Sequence, residues 1–122
     1  MIAETHGFQA FRGTEPPRFA NESEREVALL LDFYGIPWEY EPHSFPLEKD
    51  ENGRVIEASC PDFYLPEQDL YVEITTMKQS LVTRKNRKIR KLRERHPDVK
   101  IKLFYKRDFE RLATKYGLKP AH

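Results

Sequence analysis

Residues 61–75 read PDFYLPEQDLYVEIT and contain two short runs of β-forming residues joined by the polar residues 67–69. Aromatic and β-branched side chains favour strands, and a short polar separator is typical of a hairpin. The pattern therefore predicts two antiparallel strands. Asp62 stands at the start of the first strand, and Glu73 lies inside the apolar run of the second.

Glu73 needs an explanation, because a carboxylate inside an apolar run is costly to bury. The alternation of a strand places it on the same face as Thr75. A hairpin would set it beside Asp62, where a bound cation relieves the repulsion between the two carboxylates. Mg²⁺ suits this pair, since it takes oxygen ligands and keeps several waters.

Two other interpretations of these carboxylates stay open. Asp62 can be a turn residue after proline, and Glu73 can pair with Lys100 or Lys102.

A helix is predicted before these strands by NESEREVALLLDFYGI, residues 21–36. Asn21 or Ser23 can cap its start, apolar residues recur at helical spacing, and Gly35 ends it. The aromatic segment 37–47 and the turn signal at residues 52–53, Asn-Gly, predict a strand and a return strand. With the hairpin in 61–75, these strands form an antiparallel meander.

The pattern of the remaining residues predicts a helix, a strand and a closing helix. Helix-forming residues follow a cap candidate at Thr83 and run from Arg84 to Arg95, before Pro97. Alternation over 99–105 indicates a strand, and 107–117 indicates an amphipathic helix. Residues 1–18 carry no apolar face and are expected to form a poorly structured arm, which leaves residues 19–122 as a single domain.

Charge is divided unevenly along the chain. Residues 1–77 contain 5 Lys or Arg against 16 Asp or Glu, and residues 78–122 contain 16 against 4. Such asymmetry fits an acidic cluster that binds a cation beside a basic surface that binds an anion. The halves can equally neutralise each other. The sequence has no apolar run long enough to cross a bilayer and no signal-peptide pattern at its start, so we expect no membrane contact and a cytoplasmic location.

The predicted helix from Arg84 to Arg95 carries eight basic residues and only Glu94 against them. Such a density favours binding to nucleic acid phosphates, and the helix start adds backbone N–H groups. The alternative is an ordinary solvated face. The residues predicted to contact nucleic acid are Arg84, Lys85, Arg87, Lys88 and Lys91.

Two of these segments resemble parts of one nuclease superfamily. PDFYLPEQDLYVEIT resembles the second and third motif strands of the PD-(D/E)XK superfamily, in which Asp and Glu bind metal on neighbouring strands. SEREVALLLDFYGI resembles the first helix of archaeal Holliday-junction resolvases and related homing and repair nucleases. There, a glutamate about eleven residues before the helix-ending glycine joins the metal site, and Glu24 stands at that distance from Gly35.

The resemblance implies an α/β restriction-endonuclease-like core of order α-β-β-β-α-β-α, with a mixed central sheet flanked by helices. It implies that Glu24, Asp62 and Glu73 hold one or two Mg²⁺ or Mn²⁺ ions. The activity implied is endonucleolytic hydrolysis of DNA phosphodiesters in repair or recombination. Small nucleases that cut both strands commonly work as dimers, so a homodimer is expected by analogy.

The chain departs from the family pattern at Thr75, where the family has lysine. That lysine orients the attacking water and stabilises charge on the phosphate. Lys78 is the candidate to replace it, although it can also be a solvent-exposed lysine at a helix entry. Thr75 and Gln79 are expected to position water.

The missing lysine also supports a second interpretation, a catalytically silent nucleic-acid-binding or regulatory module of the same fold. Residues 75–94, TTMKQSLVTRKNRKIRKLRE, have a general similarity to domains that accompany phosphoribosyltransferases in bacterial proteins. The chain itself has no phosphoribosyl pyrophosphate loop.

Overall fold

A computed structural model of the chain describes residues 7–75 and 79–105, together with 108, 111, 114, 115 and 117. Within these residues lie two helices and six strands, in the order α1 (Glu22–Phe33), β1 (Glu39–Tyr40), β2 (Phe45–Lys49), β3 (Val55–Ser59), β4 (Phe63–Leu65), β5 (Leu70–Ile74), α2 (Gln79–Arg95) and β6 (Ile101–Phe104).

The strands form two sheets. The larger has the order β1-β4-β5-β6, with β1, β4 and β5 antiparallel and β6 parallel to β5. Strands β2 and β3 form a separate two-stranded sheet. β1 lies at one edge of the larger sheet, between Pro37 and Pro42, and β6 lies at the other edge. The α/β class and the mixed sheet predicted from the sequence are confirmed.

The predicted meander is wrong, because β1 pairs with β4 and not with the next strand along the chain. Glu41, directly after β1, has a left-handed backbone with φ 47°, and Pro42 follows it. The Glu41 N–H donates to the Asp62 carbonyl at 2.9 Å. This turn directs the chain away from the sheet, so β2 and β3 form a hairpin of their own. Five strands therefore precede α2 instead of three.

α1 begins and ends as its sequence predicts. The Asn21 side chain accepts a hydrogen bond from the Glu24 N–H at 3.0 Å, which satisfies one of the free donors at the helix start. Gly35, with φ 67°, follows the last turn. The buried residues Val27 and Leu31 turn one side of the helix toward the sheet.

α2 begins at Gln79 rather than after Thr83, so the predicted cap is wrong. Half-buried Leu81 and Val82 continue its apolar side by one turn, and neither glycine nor proline interrupts the segment. The helix ends at Arg95, before Pro97, as predicted. It connects β5 to β6, and this crossover is what allows the two strands to be parallel. The predicted closing helix, 107–117, lies largely outside the described residues.

The core has two parts, one on each face of the larger sheet. Because side chains alternate along β5, Val72 and Ile74 lie in the part of the core beneath α1. This part also contains the fully buried Trp38. Tyr71 faces the other part, together with Ile89 and Leu92 of α2 and with Leu47 of β2. Glu73 lies on the same face as Tyr71, beneath α2.

The segment before α1 contains no helix or strand in its described part, residues 7–20, and it packs against Trp38. The Trp38 N–H donates to the Ala10 carbonyl at 3.1 Å, and the Arg12 N–H donates to the Trp38 carbonyl at 2.8 Å. The Asp32 carboxylate accepts hydrogen bonds from the N–H groups of Gln9 and Ala10. In the part of the chain that the structure describes, no helix is both long enough and apolar enough to span a bilayer.

Candidate active site

Asp62 and Glu73 lie side by side on the β4–β5 hairpin. The register pairs Phe63 with Val72, which places Asp62, one residue before β4, opposite Glu73. The Asp62 N–H donates to Glu73 Oε1 at 3.2 Å, and the Ile74 N–H donates to Asp62 Oδ2 at 2.8 Å. The hairpin therefore holds both carboxylates at one end of the sheet.

A lysine of α2 contacts both carboxylates. Lys85 Nζ lies 3.1 Å from Glu73 Oε2 and 3.9 Å from Asp62 Oδ2, and it also donates to the Ile74 carbonyl. The crossover from β5 carries this residue back over the sheet end. The lysine that pairs with Glu73 is thus neither Lys100 nor Lys102. Lys102 stands opposite Val72 in the register and projects to the other face of the sheet.

Among the residues that the structure describes, the positive charge of Lys85 does not offset the burial and negative charge around Asp62. The Asp62 side chain is almost fully buried, with 6% of the residue exposed. This burial and then the charge of Glu73 raise the pKa of Asp62 to about 8, and Glu24 adds to the rise. The Ile74 N–H and the Lys85 ammonium act in the opposite direction but do not cancel it.

Glu24 approaches this pair from α1 but is held by other groups. It is 3% exposed, and its Oε1 accepts hydrogen bonds from the Tyr40 hydroxyl at 2.6 Å and from the Ala20 N–H at 3.0 Å. Burial and then the hydrogen bond to Glu24 raise the pKa of Tyr40 well above its usual range. Glu24 is close enough to raise the pKa of Asp62 by its charge.

Glu41 is a fourth carboxylate that the sequence does not single out. Glu41 is exposed overall, but partial desolvation of its carboxyl, then the charge of Glu24, then that of Glu73 raise its pKa, so it lies in the same negative field. Its backbone N–H donates a hydrogen bond to the Asp62 carbonyl. Glu41 lies between a two-residue strand and a proline, and no local pattern could have indicated its place near Asp62 and Glu73, which are 21 and 32 positions away in the sequence.

The donor types fit a hard divalent cation, since carboxylate oxygens are the ligands that Mg²⁺ prefers. The geometry gives two such ligands directly: Asp62 Oδ2 and Glu73 Oε2 face the same point, where the Lys85 ammonium lies. Across the described residues, no three Asp, Glu, His or Cys side chains are grouped closely enough to form a complete metal site. The predicted trio is therefore a contacting pair with Glu24 nearby.

The other predicted catalytic residues are placed as follows. Thr75 is buried directly after β5, and its N–H donates to the Phe104 carbonyl at 2.9 Å. Gln79 is the first residue of α2, and its side chain lies outside what the structure describes. Lys78 lies outside the described residues. Lys85, which the sequence indicates only as a nucleic-acid contact, is the lysine found at the carboxylate pair.

Several of the cations predicted to contact nucleic acid form ion pairs or hydrogen bonds with the β2–β3 sheet. Lys91 lies 2.5 Å from Glu48 and 2.9 Å from Glu57, and Arg87 lies 2.8 Å from the same Glu57. Lys88 Nζ donates to the Ala58 carbonyl at 3.1 Å. These contacts show the acidic and basic halves of the chain neutralising each other.

Arg84 and Arg90 differ from these cations. Both are exposed on α2, and neither forms an ion pair with the residues that the structure describes. Arg84 precedes Lys85 in the chain, and successive side chains of a helix point in different directions. These two arginines are the side chains of α2 most available to an external anion.

Comparisons with protein-family models, with curated proteins and with solved structures find no match to this chain.

Proposed function

We propose that the protein is a divalent-metal-dependent nuclease built on a restriction-endonuclease-like core. The observation that carries the proposal is the arrangement of Asp62, Glu73 and Lys85, two carboxylates and one ammonium at the end of neighbouring strands. The mixed sheet, with a crossover helix between β5 and β6, supports it. In this proposal Lys85 takes the part of the lysine that the PD-(D/E)XK pattern places where this chain has Thr75.

Each residue of the arrangement has a separate task. Asp62 and Glu73 supply the oxygen ligands, and Glu24 and Glu41 add negative charge that favours a cation at the same point. A bound Mg²⁺ or Mn²⁺ would polarise the phosphate and make water a stronger nucleophile. Lys85, displaced from between the carboxylates, is within reach to neutralise a phosphate oxygen. The buried surroundings of Asp62 strengthen these charge interactions.

The proposed substrate is nucleic acid, with DNA as the first choice. Arg84 is one residue before the proposed catalytic lysine in the chain and is exposed, and we propose that it contacts a phosphate that flanks the scissile bond. Arg90 extends the same positive helix. Binding through arginine and lysine to phosphates should weaken steeply as salt rises.

The test is cleavage of labelled single-stranded, nicked, branched and duplex DNA and of RNA, with Mg²⁺, Mn²⁺ or EDTA. Glu73→Ala and Lys85→Met should each reduce cleavage by about hundredfold or more, because each removes charge that acts on the reacting phosphate. Glu67→Ala, at an exposed position of the same hairpin, and Lys100→Met, at an exposed position outside α2, are the matched controls and should keep the wild-type rate. Cleavage that survives in Glu73→Ala would refute the site.

The second candidate function is a silent nucleic-acid-binding module of the same fold. Thr75 in place of the motif lysine favours it, and so does the ammonium of Lys85 between the two carboxylates. In that case no substrate is cut with either metal. Salt-dependent DNA binding would persist and would fall in an Arg84→Gln/Arg90→Gln variant, while Glu73→Ala would bind DNA as wild type does.

A further inference from the structure

The buried carboxylate of Glu24 is held through only one of its two oxygens. Glu24 Oε1 accepts hydrogen bonds from the Tyr40 hydroxyl at 2.6 Å and from the Ala20 N–H at 3.0 Å. Within the part of the chain that the structure describes, Oε2 accepts no hydrogen bond. Gln68 Oε1 is the only buried side-chain oxygen or nitrogen of these residues without a partner, so Glu24 Oε2 retains contact with solvent. One oxygen of Glu24 is therefore available to a ligand.

The two donors to Glu24 have different origins. Glu24 is the third residue after the N-cap Asn21, the position from which a glutamate reaches back to the backbone at a helix start. Its contact with the Ala20 N–H is therefore a local helix cap. The contact with Tyr40 spans 16 positions and joins α1 to β1, which helix capping does not require.

Tyr40 is a rigid donor. Its ring lies between those of Phe19 and Phe63, with centroids 5.0 and 5.6 Å away, and its backbone pairs with Phe63 across β1 and β4. The next residue, Glu41, donates its N–H to the Asp62 carbonyl at 2.9 Å. The strand that carries the Tyr40 hydroxyl is thus fixed to the backbone of Asp62.

We propose that Tyr40 is a positioning residue that holds Glu24 so that Oε2 can bind the divalent cation held by Asp62 and Glu73. This inference rests on the proposed function and adds to it the way in which the third carboxylate is held. The charge of Glu24 reaches Asp62, whose pKa it raises. A fixed donor on Oε1 reduces the entropy lost when Glu24 is ordered around a cation, and loss of such an outer partner typically costs about 10–100-fold in metal affinity.

The test is titration of the full chain with Mn²⁺ in the absence of nucleic acid, with free Mn²⁺ measured by electron paramagnetic resonance. Tyr40→Phe keeps the ring between Phe19 and Phe63 and removes the hydroxyl alone, so it should fold and bind Mn²⁺ about tenfold more weakly. Circular dichroism verifies the fold.

Tyr64→Phe is the matched control for the loss of a hydroxyl. The Tyr64 hydroxyl also donates to a carboxylate, that of Asp69 at 2.9 Å, at the opposite end of the β4–β5 hairpin from Asp62. This variant should bind Mn²⁺ as wild type does. Equal affinities of Tyr40→Phe and Tyr64→Phe would count against a special role for Tyr40.

A double-mutant cycle separates positioning from a general effect on structure. If Tyr40 acts through Glu24, Tyr40→Phe should cause no further loss of Mn²⁺ affinity in a Glu24→Gln background. A tenfold loss that persists in this background would overturn the proposal, because the hydroxyl would then act without the carboxylate.

Comparison with Glu73→Ala separates this inference from the proposed function. Wild-type protein that binds Mn²⁺ no better than Glu73→Ala would refute the metal site itself, and the role of Tyr40 with it. If Glu73→Ala binds Mn²⁺ weakly and Tyr40→Phe binds it as tightly as wild type, the metal site stands and only the role of Tyr40 is refuted.

Discussion

Lys85 is the single residue on which the candidate site depends most. Among the described residues, it is the cation that contacts both Asp62 and Glu73. The hairpin pattern in 61–75 is enough to predict that these carboxylates lie together, because strand alternation and a short turn are local properties. The lysine could not be predicted, because its place depends on how the crossover helix returns over the sheet.

We expect Lys85→Met to lower the free energy of unfolding in EDTA by about 1–2 kcal/mol, since two carboxylates lose their counter-charge. The expected loss is smaller than for a fully buried pair because 24% of the Lys85 side chain is exposed. Urea denaturation measures the change. Mg²⁺ should then stabilise Lys85→Met more than wild type, because the lysine no longer competes for the same oxygens. Equal stabilisation of both would contradict this account, and Lys100→Met, at an exposed position, is the control.

Glu41 gives a second test at the residue scale. A side chain with φ 47° costs about 1 kcal/mol relative to glycine, and Glu41 also adds negative charge to an acidic region. Glu41→Gly should therefore raise the free energy of unfolding by about 1 kcal/mol. Glu41→Ala removes the carboxylate but keeps Cβ, so it should gain less. Thermal denaturation compares the two, and a larger gain from alanine would show that backbone strain is not the cause.

At the scale of elements, α2 is joined to the β2–β3 sheet by ion pairs. Glu57 accepts from both Lys91 and Arg87, and Lys91 also contacts Glu48. The sequence predicts a basic helix but cannot tell its internal cations from those that face solvent, because the partners lie 30 or more positions away. Some cations of α2 are paired because the β2–β3 hairpin leaves the main sheet at Glu41 and Pro42 and provides their carboxylate partners.

This network makes acid stability depend on Glu57. Hydrogen bonds from Lys91 and then Arg87 lower the pKa of Glu57 from an ordinary value of 4.5 to about 2. Because the folded pKa is depressed, the contribution is fully present above pH 4.5 and is lost as pH falls toward 2. Urea denaturation at a series of pH values should show this decline, and Glu57→Gln should reduce its slope. An unchanged slope in the variant would exclude Glu57 as the cause.

At the scale of the whole molecule, the packing of the lead-in segment on Trp38 links the N-terminal residues to the core. Phe8 and Phe11 lie with ring centroids 5.0 and 4.6 Å from that of Trp38. Periodicity could predict α1, the β4–β5 hairpin and β6. It could not predict these contacts, because residues 7–20 have no regular spacing and their order comes from tertiary packing and from hydrogen bonds to Asp32.

We expect Phe8→Ala/Phe11→Ala to lower the free energy of unfolding by about 3 kcal/mol, since each ring leaves a gap beside the core. Trp38 is the only tryptophan, so its fluorescence reports this region alone. The emission should move to longer wavelength as water reaches the indole. Leu29→Ala, at an exposed position of α1, is the control and should leave both properties nearly unchanged. An unshifted emission wavelength in the double variant would mean that other residues exclude water from the Trp38 indole.

The two edges of the larger sheet bear on how the protein behaves at high concentration. At β1, the edge is two residues long, its neighbour Trp38 already forms a parallel bridge with Phe11, and Pro42 beyond it has no N–H to donate. At β6, it would meet the positive charge of Lys102 and its neighbours. Short, partly paired and like-charged edges are poor templates for sheet extension, so we expect neither described edge of this sheet to favour growth into fibrillar aggregates.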